Sequence, residues 1–286
     1  MDESELRIRE LRLDDIPAGM RLKEAAKWNQ TSQDWSFIIK CGTVNLAAVV
    51  RDTIVGTITD IKYQNSFHWI GMVLVDPAFR RKGIATRLMR ETMDLYHGEC
   101  PFRLDATPEG KTLYNKLGFE VEQILHRYHF QEPAKLNPPE FGIDCRQITN
   151  SDLFKLSIFD SFVFGADRFE ILNYLMSSQP SYGWLFEAGG EIQGYCLGRP
   201  GSNCDQLGPI VAKEHSIAKS LLIHALQRTD SSCVIIDSYD VQKDWNAFLV
   251  GLGFKRQRPL IRMFAGEWEE TGHPEYQYAI AGPELG

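Results

Sequence analysis

Residues 73–89, VLVDPAFRRKGIATRLM, place three cations and one glycine between an apolar run and a helical pattern. Asp76-Pro77 ends the apolar run, Arg80, Arg81 and Lys82 supply positive charge, and Gly83 opens the helix. A loop from a buried strand into a helix is a natural anion site. The first helical N–H groups have no internal partner, and the helix dipole adds roughly half a positive charge there. Gly83 lets an anion approach the backbone with no side chain in the way, Ala85 keeps the first turn slim, and the three cations add charge-assisted contacts. Such a loop suits a pyrophosphate. Two common phosphate loops are excluded: G-x-x-x-x-G-K-[ST] is absent, and a single glycine does not make the dinucleotide fingerprint.

The elements around this loop follow from hydropathy. LRIREL (6–11) alternates like a strand, and residues 14–27 and 32–40 have helical spacing on either side of WNQT. Residues 45–51 and 54–63 read as strands joined at Asp52-Thr53, and WIGMVLV (69–75) as a buried central strand. A helix from Gly83 to Tyr96, a strand at 102–106, a helix from Thr107-Pro108 to a Gly118 cap and a strand at 120–130 complete the first half. QEPAKLNPPE (131–140) reads as a linker. The order then recurs: a strand near 143–148, helices at 149–159 and 168–176, a hairpin at 183–198 turning on Gly189-Gly190, a central run at 206–212, a helix at 217–226, a strand at 233–238, a helix at 245–252 and a strand at 254–264. LYNKLGFE (113–120) matches FLVGLGFK (248–255) in place and pattern, so internal duplication is the economical explanation. The domains expected are 1–133 and 141–286, with 134–140 between them.

Bulk properties narrow the function. The 286 residues are 43% hydrophobic and 24% charged, as in a globular protein with a real core. A net charge of −7 argues against a general nucleic-acid binder and suits cationic small molecules. No apolar run approaches the ~20 residues of a membrane span, and the acidic MDESELRIRE is neither a signal nor a transit peptide, so a cytoplasmic protein is expected. The six cysteines form no C-x-x-C and read as reduced thiols. His126 and His129 fall on opposite faces of a strand, so no metal is expected.

The pattern V-x-V-x-P-x-x-R-x-x-G-x-A, here Val73, Val75, Pro77, Arg80, Gly83 and Ala85, closely resembles the acetyl-CoA signature of the GNAT superfamily of N-acetyltransferases. The second hallmark of that superfamily, L-Y-x-K-L-G-F, stands at Leu113 to Phe119. The stretches WNQTSQDW (28–35) and LDATPEGKTLY (104–114) further resemble a two-domain subgroup with a second GNAT-like domain at its C-terminus. The resemblance implies an α/β fold with a mixed sheet, in tandem GNAT (acyl-CoA N-acyltransferase) copies.

It also implies a mechanism. Acetyl-CoA would lie where the strands at 69–75 and 102–106 splay apart, its pantetheine pairing near Val73 and Val75. Its pyrophosphate would meet Arg80, Arg81, Lys82, Gly83, Ile84, Ala85 and Thr86. A backbone N–H freed by a bulge in the first strand would hold the developing oxyanion. Tyr114 matches the general acid that protonates the departing thiolate. Asp105, at the exit of the second strand, is the first candidate to take a proton from the acceptor amine, or is simply helix-entry chemistry; His68 ranks below it. Thr107 stands where the family often has an asparagine that contacts coenzyme A, which puts that contact in doubt. Trp28, Asn29, Gln30 and Trp35 fall in the acceptor region, either cradling an amine or packing in the core.

In the second half, Arg80 to Gly83 align with Lys213, Glu214, His215 and Ser216, and Tyr114 with Leu249. Pro209 interrupts the central run. Residues 141–270 are therefore expected to be a degenerate GNAT-like domain without turnover of its own. The tail at 275–286 has short apolar pieces that suit a return to a sheet.

The expectation is thus an acetyl-CoA-dependent N-acetyltransferase acting on a primary amine of a small molecule, monomeric as an internal pseudo-dimer or homodimeric, using no metal, nucleic acid or membrane. Its competitors are a non-catalytic acyl-CoA sensor and a protein or peptide N-acetyltransferase. The intact Tyr114 favours an enzyme over a sensor, which needs no proton donor.

Overall fold

The computed structural model describes residues 6–96, 98–133, 143–269 and 271–286. The expected linker at 134–140 lies outside the described residues. The chain divides into two compact units, one of residues up to Val121 with Met263–Trp268 and Leu285, the other of Glu122–Arg262, Glu269–Glu284 and Gly286.

In the first unit, β1 (Leu6–Glu10), β2 (Val44–Val50), β3 (Thr53–Tyr63) and β4 (Phe67–Val75) form an antiparallel meander, and β5 (Phe102–Ala106) joins β4 in parallel. The β2–β3 turn falls on Arg51 and Asp52, with φ of 46° and 63°, the left-handed pair that matches the twist of a tight hairpin. Helices α1 (Ile16–Ala25) and α2 (Ser32–Cys41) pack on β3, and α3 (Ile84–Asp94) on β2, β3 and β4. Thr31 and Asp34 start α2 with a reciprocal capping box. Gly56 of β3 admits α3: a Cβ there would lie 3.1 Å from Ile84 and 3.4 Å from Leu88. Helix α4 (Pro108–Lys116) follows β5, capped by Thr107 Oγ1, which accepts from the Gly110 N–H at 3.2 Å.

The first half ends in β6 (Glu120–Gln131), which pairs residue by residue with β11 (Cys233–Tyr239) of the second unit from Leu125 onward. Conversely Met263–Trp268, at the end of β12 (Lys255–Ala265) and just beyond it, count with the first unit, where Trp268 meets Phe67 edge-on at 5.3 Å. Most of β6 therefore counts with the second unit, whereas only the last three residues of β12 count with the first.

The second unit repeats the plan. β7 (Arg146–Gln147), β8 (Trp184–Ala188), β9 (Glu191–Arg199) and β10 (Asp205–Ala212) are antiparallel in turn, and β11 joins β10 in parallel. Helices α5 (Leu153–Phe164), α6 (Phe169–Ser178), α7 (His215–Leu226) and α8 (Lys243–Leu252) complete it. Its core gathers Leu207, Ile210, Leu221, Leu222, Trp245 and Leu249. The expected hairpin turns on Gly189 and Gly190, with φ of 62° and 79°. The tail does return to the sheet, as β13 (Gln277–Ala279).

Two expectations need correction. Cys204 and Cys233 form a disulfide, with Cα atoms 4.6 Å apart, while Cys41, Cys100, Cys145 and Cys196 are not disulfide-bonded. The pair is 29 residues apart in sequence and meets because Asp205 and Val234, the residues that follow them, are partners in the β10–β11 ladder. The alignment of the halves also shifts. The residue before α3 is Gly83 and the residue before α7 is Glu214, so Glu214, not Ser216, takes the place of Gly83. The connection is residues 76–83 in the first unit and only 213–214 in the second.

Candidate active site

The site is built on a fork. β4 and β5 pair in parallel at His68↔Phe102 and Trp69↔Arg103, and no pair follows although both strands continue, to Val75 and Ala106. On its other side β4 changes register against β3: Thr57 faces Leu74, whereas Thr59 faces Gly71. Two residues of β4, Met72 and Val73, thus oppose the single residue Ile58, which is a β-bulge. Met72 takes a left-handed φ of 49°, and its carbonyl oxygen accepts the hydroxyl of buried Thr57 at 2.8 Å. The bulge lies where the fork opens. Val73 and Val75 are half-buried and Leu74 between them is buried.

Beyond Val75 the loop is held by its own polar groups. Asp76 Oδ1 accepts the Ala78 N–H at 3.0 Å, and its Oδ2 accepts Arg21 of α1 at 2.6 Å. Arg80 Nε donates to Val75 O at 3.3 Å, and Lys82 Nζ to Ala78 O at 3.2 Å. Arg80, Arg81, Lys82 and Gly83 are exposed, Ile84 is buried, and Ala85 and Thr86 are half-buried. Arg81 and Gly83 are left-handed, at φ 60° and 77°. Apart from its own chain neighbours, no atom of the described residues lies within 4 Å of a Cβ built on Gly83, so that face is open. In contrast to α2 and α4, α3 has no side chain bonded to its first N–H groups. This loop offers an anion three cations and an uncapped helix start, as its sequence suggests.

Tyr114 lies on α4 and is 8% exposed. Its ring packs on Gly110, where a Cβ would come within 2.9 Å of it, and lies 5.8 Å from the ring of Phe119. The hydroxyl has no hydrogen-bond partner among the described residues, and burial pushes it above the ordinary phenol range. Such a phenol keeps its proton at neutral pH and releases it only to a strong base. Asp105 is half-buried, one residue before the end of β5. His68 stands at the closed end of the fork, fully buried, with Nδ1 2.9 Å from Asp60 Oδ2, which also accepts the Tyr96 hydroxyl at 2.8 Å.

The residues expected around an acceptor differ in setting. Trp28 is half-buried, and Asn29 and Gln30 are buried in the α1–α2 connection. Trp35 is fully buried against α1, where a Cβ on Gly19 would lie 2.9 Å from its ring. Two features escaped the sequence reading. One is the Thr57–Met72 bond, which depends on cross-strand register. The other is Arg103, 3% exposed, whose guanidinium carbon lies 4.1 Å from the Trp268 ring centre, 4.9 Å from Phe67 and 5.6 Å from Trp69. Alternation along FRLDA, which sets Arg103 and Asp105 on one face, is the only trace of it in sequence.

Among the described residues, no group of three or more His, Cys, Asp or Glu side chains is arranged to hold a metal ion. Nor is any helix long and apolar enough to cross a membrane.

The chain is similar to known proteins in sequence and in fold. Two models described as acetyltransferase (GNAT) domains match the chain, one over residues 42–121 and the other over 157–279. The chain is 26% identical over 241 residues to a holothin acyltransferase of Pseudoalteromonas sp. (strain SANK 73390), covering 83% of this chain and 79% of that protein. It is 27% identical over 222 residues to the uncharacterized N-acetyltransferase YitH of Bacillus subtilis (strain 168), covering 76% of each. The fold matches a putative acetyltransferase from Pyrococcus horikoshii with a TM-score of 0.83 at 23% identity, covering 100% of this chain and 98% of that one. It also matches a tandem GNAT protein from the clavulanic acid biosynthesis pathway, with a TM-score of 0.67 at 13% identity, covering 93% and 100%.

Proposed function

Because the chain belongs to the GNAT acetyltransferases, with two domains of that family and the acyltransferase activity that goes with them, we propose that it is an acetyl-CoA-dependent N-acetyltransferase whose acceptor is the primary amine of a small molecule. The family draws its acyl groups from acyl-CoA donors, and the reading assigns the donor to the first unit. One observation carries this assignment: the β4–β5 fork opens at a bulge, beside a cationic loop and an uncapped helix.

Each residue then has a task. The start of α3, with Arg80, Arg81 and Lys82, binds the pyrophosphate, and Val73 and Val75 line the pantetheine. The bulge on β4 aims a backbone N–H at the thioester carbonyl, to hold negative charge as the amine adds. Asp105, directly or through water, accepts the proton that the amine must lose. Tyr114 gives its proton to the departing sulfur: burial keeps the phenol protonated at neutral pH, and a thiolate expelled into the same desolvated surroundings is a stronger base than in water. Atoms balance: an N–C bond forms, the C–S bond breaks, and the thiol leaves protonated. The α1–α2 connection, with Trp28, Asn29 and Gln30, forms the acceptor side, and Trp35 of α2, buried on Gly19, supports it from behind. One relative is named for acylating holothin; the acceptor of this chain is proposed only as a class.

The test is thiol release from acetyl-CoA against a panel of amines, with calorimetry of acetyl-CoA alone. Binding with amine-dependent thiol release supports the reading. Binding with no turnover on any amine would make the chain an acyl-CoA sensor, and no binding would remove the reading altogether.

A further inference from the structure

The second unit contains the same fork. β10 pairs with β11 in parallel at Asp205↔Val234 and Gln206↔Ile235, then changes register against β9 between Leu207 and Ile210. Matching the two ladders sets His68 against Asp205, Gly71 against Gly208, Met72 against Pro209, Val73 against Ile210 and Asp105 against Asp237. β10 therefore breaks its register one residue before the matching point of β4, and β11 continues beyond its last pair with β10, to Tyr239.

This fork is filled, and the occupant is the chain itself. β13 pairs antiparallel with β10 at Ile210↔Ala279 and Val211↔Gln277. The Ile280 N–H donates to Asp237 O of β11 at 3.0 Å. A single peptide segment bonds to both arms. Its Ala279 pairs at Ile210, the position matched to Val73, where the proposed function puts pantetheine in the first unit. Gly208 makes room for it: a Cβ there would lie 1.9 Å from the carbonyl oxygen of Ile280, so any other residue collides with the tail.

Side chains anchor the segment. Tyr278, 2% exposed, packs between His215, the first residue of α7, at 5.2 Å and Trp245 at 5.3 Å. Gln277 accepts the Tyr239 hydroxyl at 3.0 Å and donates to Val163 O at 3.2 Å. Farther along, Glu284 pairs with Arg199, both buried. The features that would bind a diphosphate are replaced in parallel: the loop is reduced to 213–214, Glu214 stands where Gly83 does, and Leu249 stands where Tyr114 does. A carboxylate before the helix opposes an anion, and of three cations the shortened loop keeps one, Lys213, directly beside that carboxylate.

We propose that the second unit has kept the fork of its fold as a peptide slot, filled in cis by residues 277–280, and that the chain consequently takes one acetyl-CoA, in the first unit. Pantetheine is a chain of amides, and a fork that offers backbone donors and acceptors to amides accepts a strand on the same terms. The inference about stoichiometry rests on the proposed use of acetyl-CoA by the first unit; the occupancy of the second fork does not.

Hydrogen exchange of the wild-type protein, with and without saturating acetyl-CoA, tests both. In the free protein the amides of 277–281 and 206–212 should exchange at least about a hundredfold more slowly than in an unstructured peptide. Acetyl-CoA should slow exchange at 72–76 and 83–87 and leave 205–216 and 277–281 unchanged. Fast exchange at 277–281 in the free protein, or slowing at 205–216 on addition of acetyl-CoA, would overturn the proposal. Slow exchange at 277–281 with no effect of acetyl-CoA anywhere would uphold the filled slot and remove the coenzyme reading of the first unit.

Discussion

The hydroxyl of Thr57 donates a 2.8 Å hydrogen bond to the carbonyl oxygen of Met72, the residue at which β4 bulges. Bulging costs Met72 its regular ladder partner and forces it to a left-handed φ of 49°. A buried carbonyl left without a donor costs about 1–3 kcal/mol, so Thr57 offsets the cost of the bulge. Valine is close in shape and lacks the donor. Thr57→Val is expected to lower kcat about tenfold through a misaimed oxyanion N–H, with KM for acetyl-CoA within about twofold. Thr57→Ser should restore kcat. Steady-state kinetics of both variants checks this, and a change confined to thermal stability would reduce Thr57 to a structural role.

Tyr114→Phe removes the proposed proton donor and keeps the ring on Gly110. The expected result is a loss in kcat of about 10²-fold, with acetyl-CoA affinity nearly unchanged by calorimetry. Weakened binding of acetyl-CoA would mean that Tyr114 has another role.

Gly83→Ala probes the proposed anion loop. The protein has room for the new Cβ, so the cost is the left-handed backbone, about 1–2 kcal/mol, plus obstruction of the ligand. Affinity for acetyl-CoA should fall about tenfold, while kcat at saturation changes little. Titration calorimetry and kinetics together separate the two.

Buried phenols set the alkaline limit. Burial pushes Tyr278 up to about 12 and Tyr114 higher still, from an ordinary value of 10.0. The folded chain thus holds these protons more tightly than the unfolded chain does. The associated stability is fully present below pH 10 and lost as pH rises through 10 to 12. Melting temperature against pH should be flat to near the ordinary phenol value and then fall, and Tyr278→Phe should soften the fall. An alkaline loss of rate that begins below pH 10 would belong to a group other than Tyr114.

The Cys204–Cys233 bond closes a loop of 29 residues, for which chain entropy predicts about 3–4 kcal/mol of stabilisation. Reduction, or Cys204→Ser, should lower the melting temperature of the second unit and leave acetyl-CoA binding by the first unchanged. Differential scanning calorimetry with and without reductant measures it.

Much of the first unit was legible because its signals are local. Gly83 after three cations, Thr107-Pro108 before a helix and alternation in β2 and β3 each act within one turn or one strand. The tail was legible only as apolar pieces: nothing near Tyr278 in sequence shows that His215 and Trp245 await it. The shifted alignment of the two halves has a similar origin, since six loop residues can vanish between strand and helix without disturbing either pattern.

By itself the sequence determined the order of elements, the duplication, the cationic loop at Arg80–Gly83 and the placing of Tyr114 on the helix after β5. Those depend on spacing, charge and capping among near neighbours. Tertiary structure decided which strand closes which unit, that Trp35 packs on Gly19, that Thr57 locks the bulge, that Cys204 meets Cys233, and that β13 fills the second fork. Each of these joins residues far apart in the chain, and such pairings are chosen by the competition of many contacts for one register rather than by any local preference.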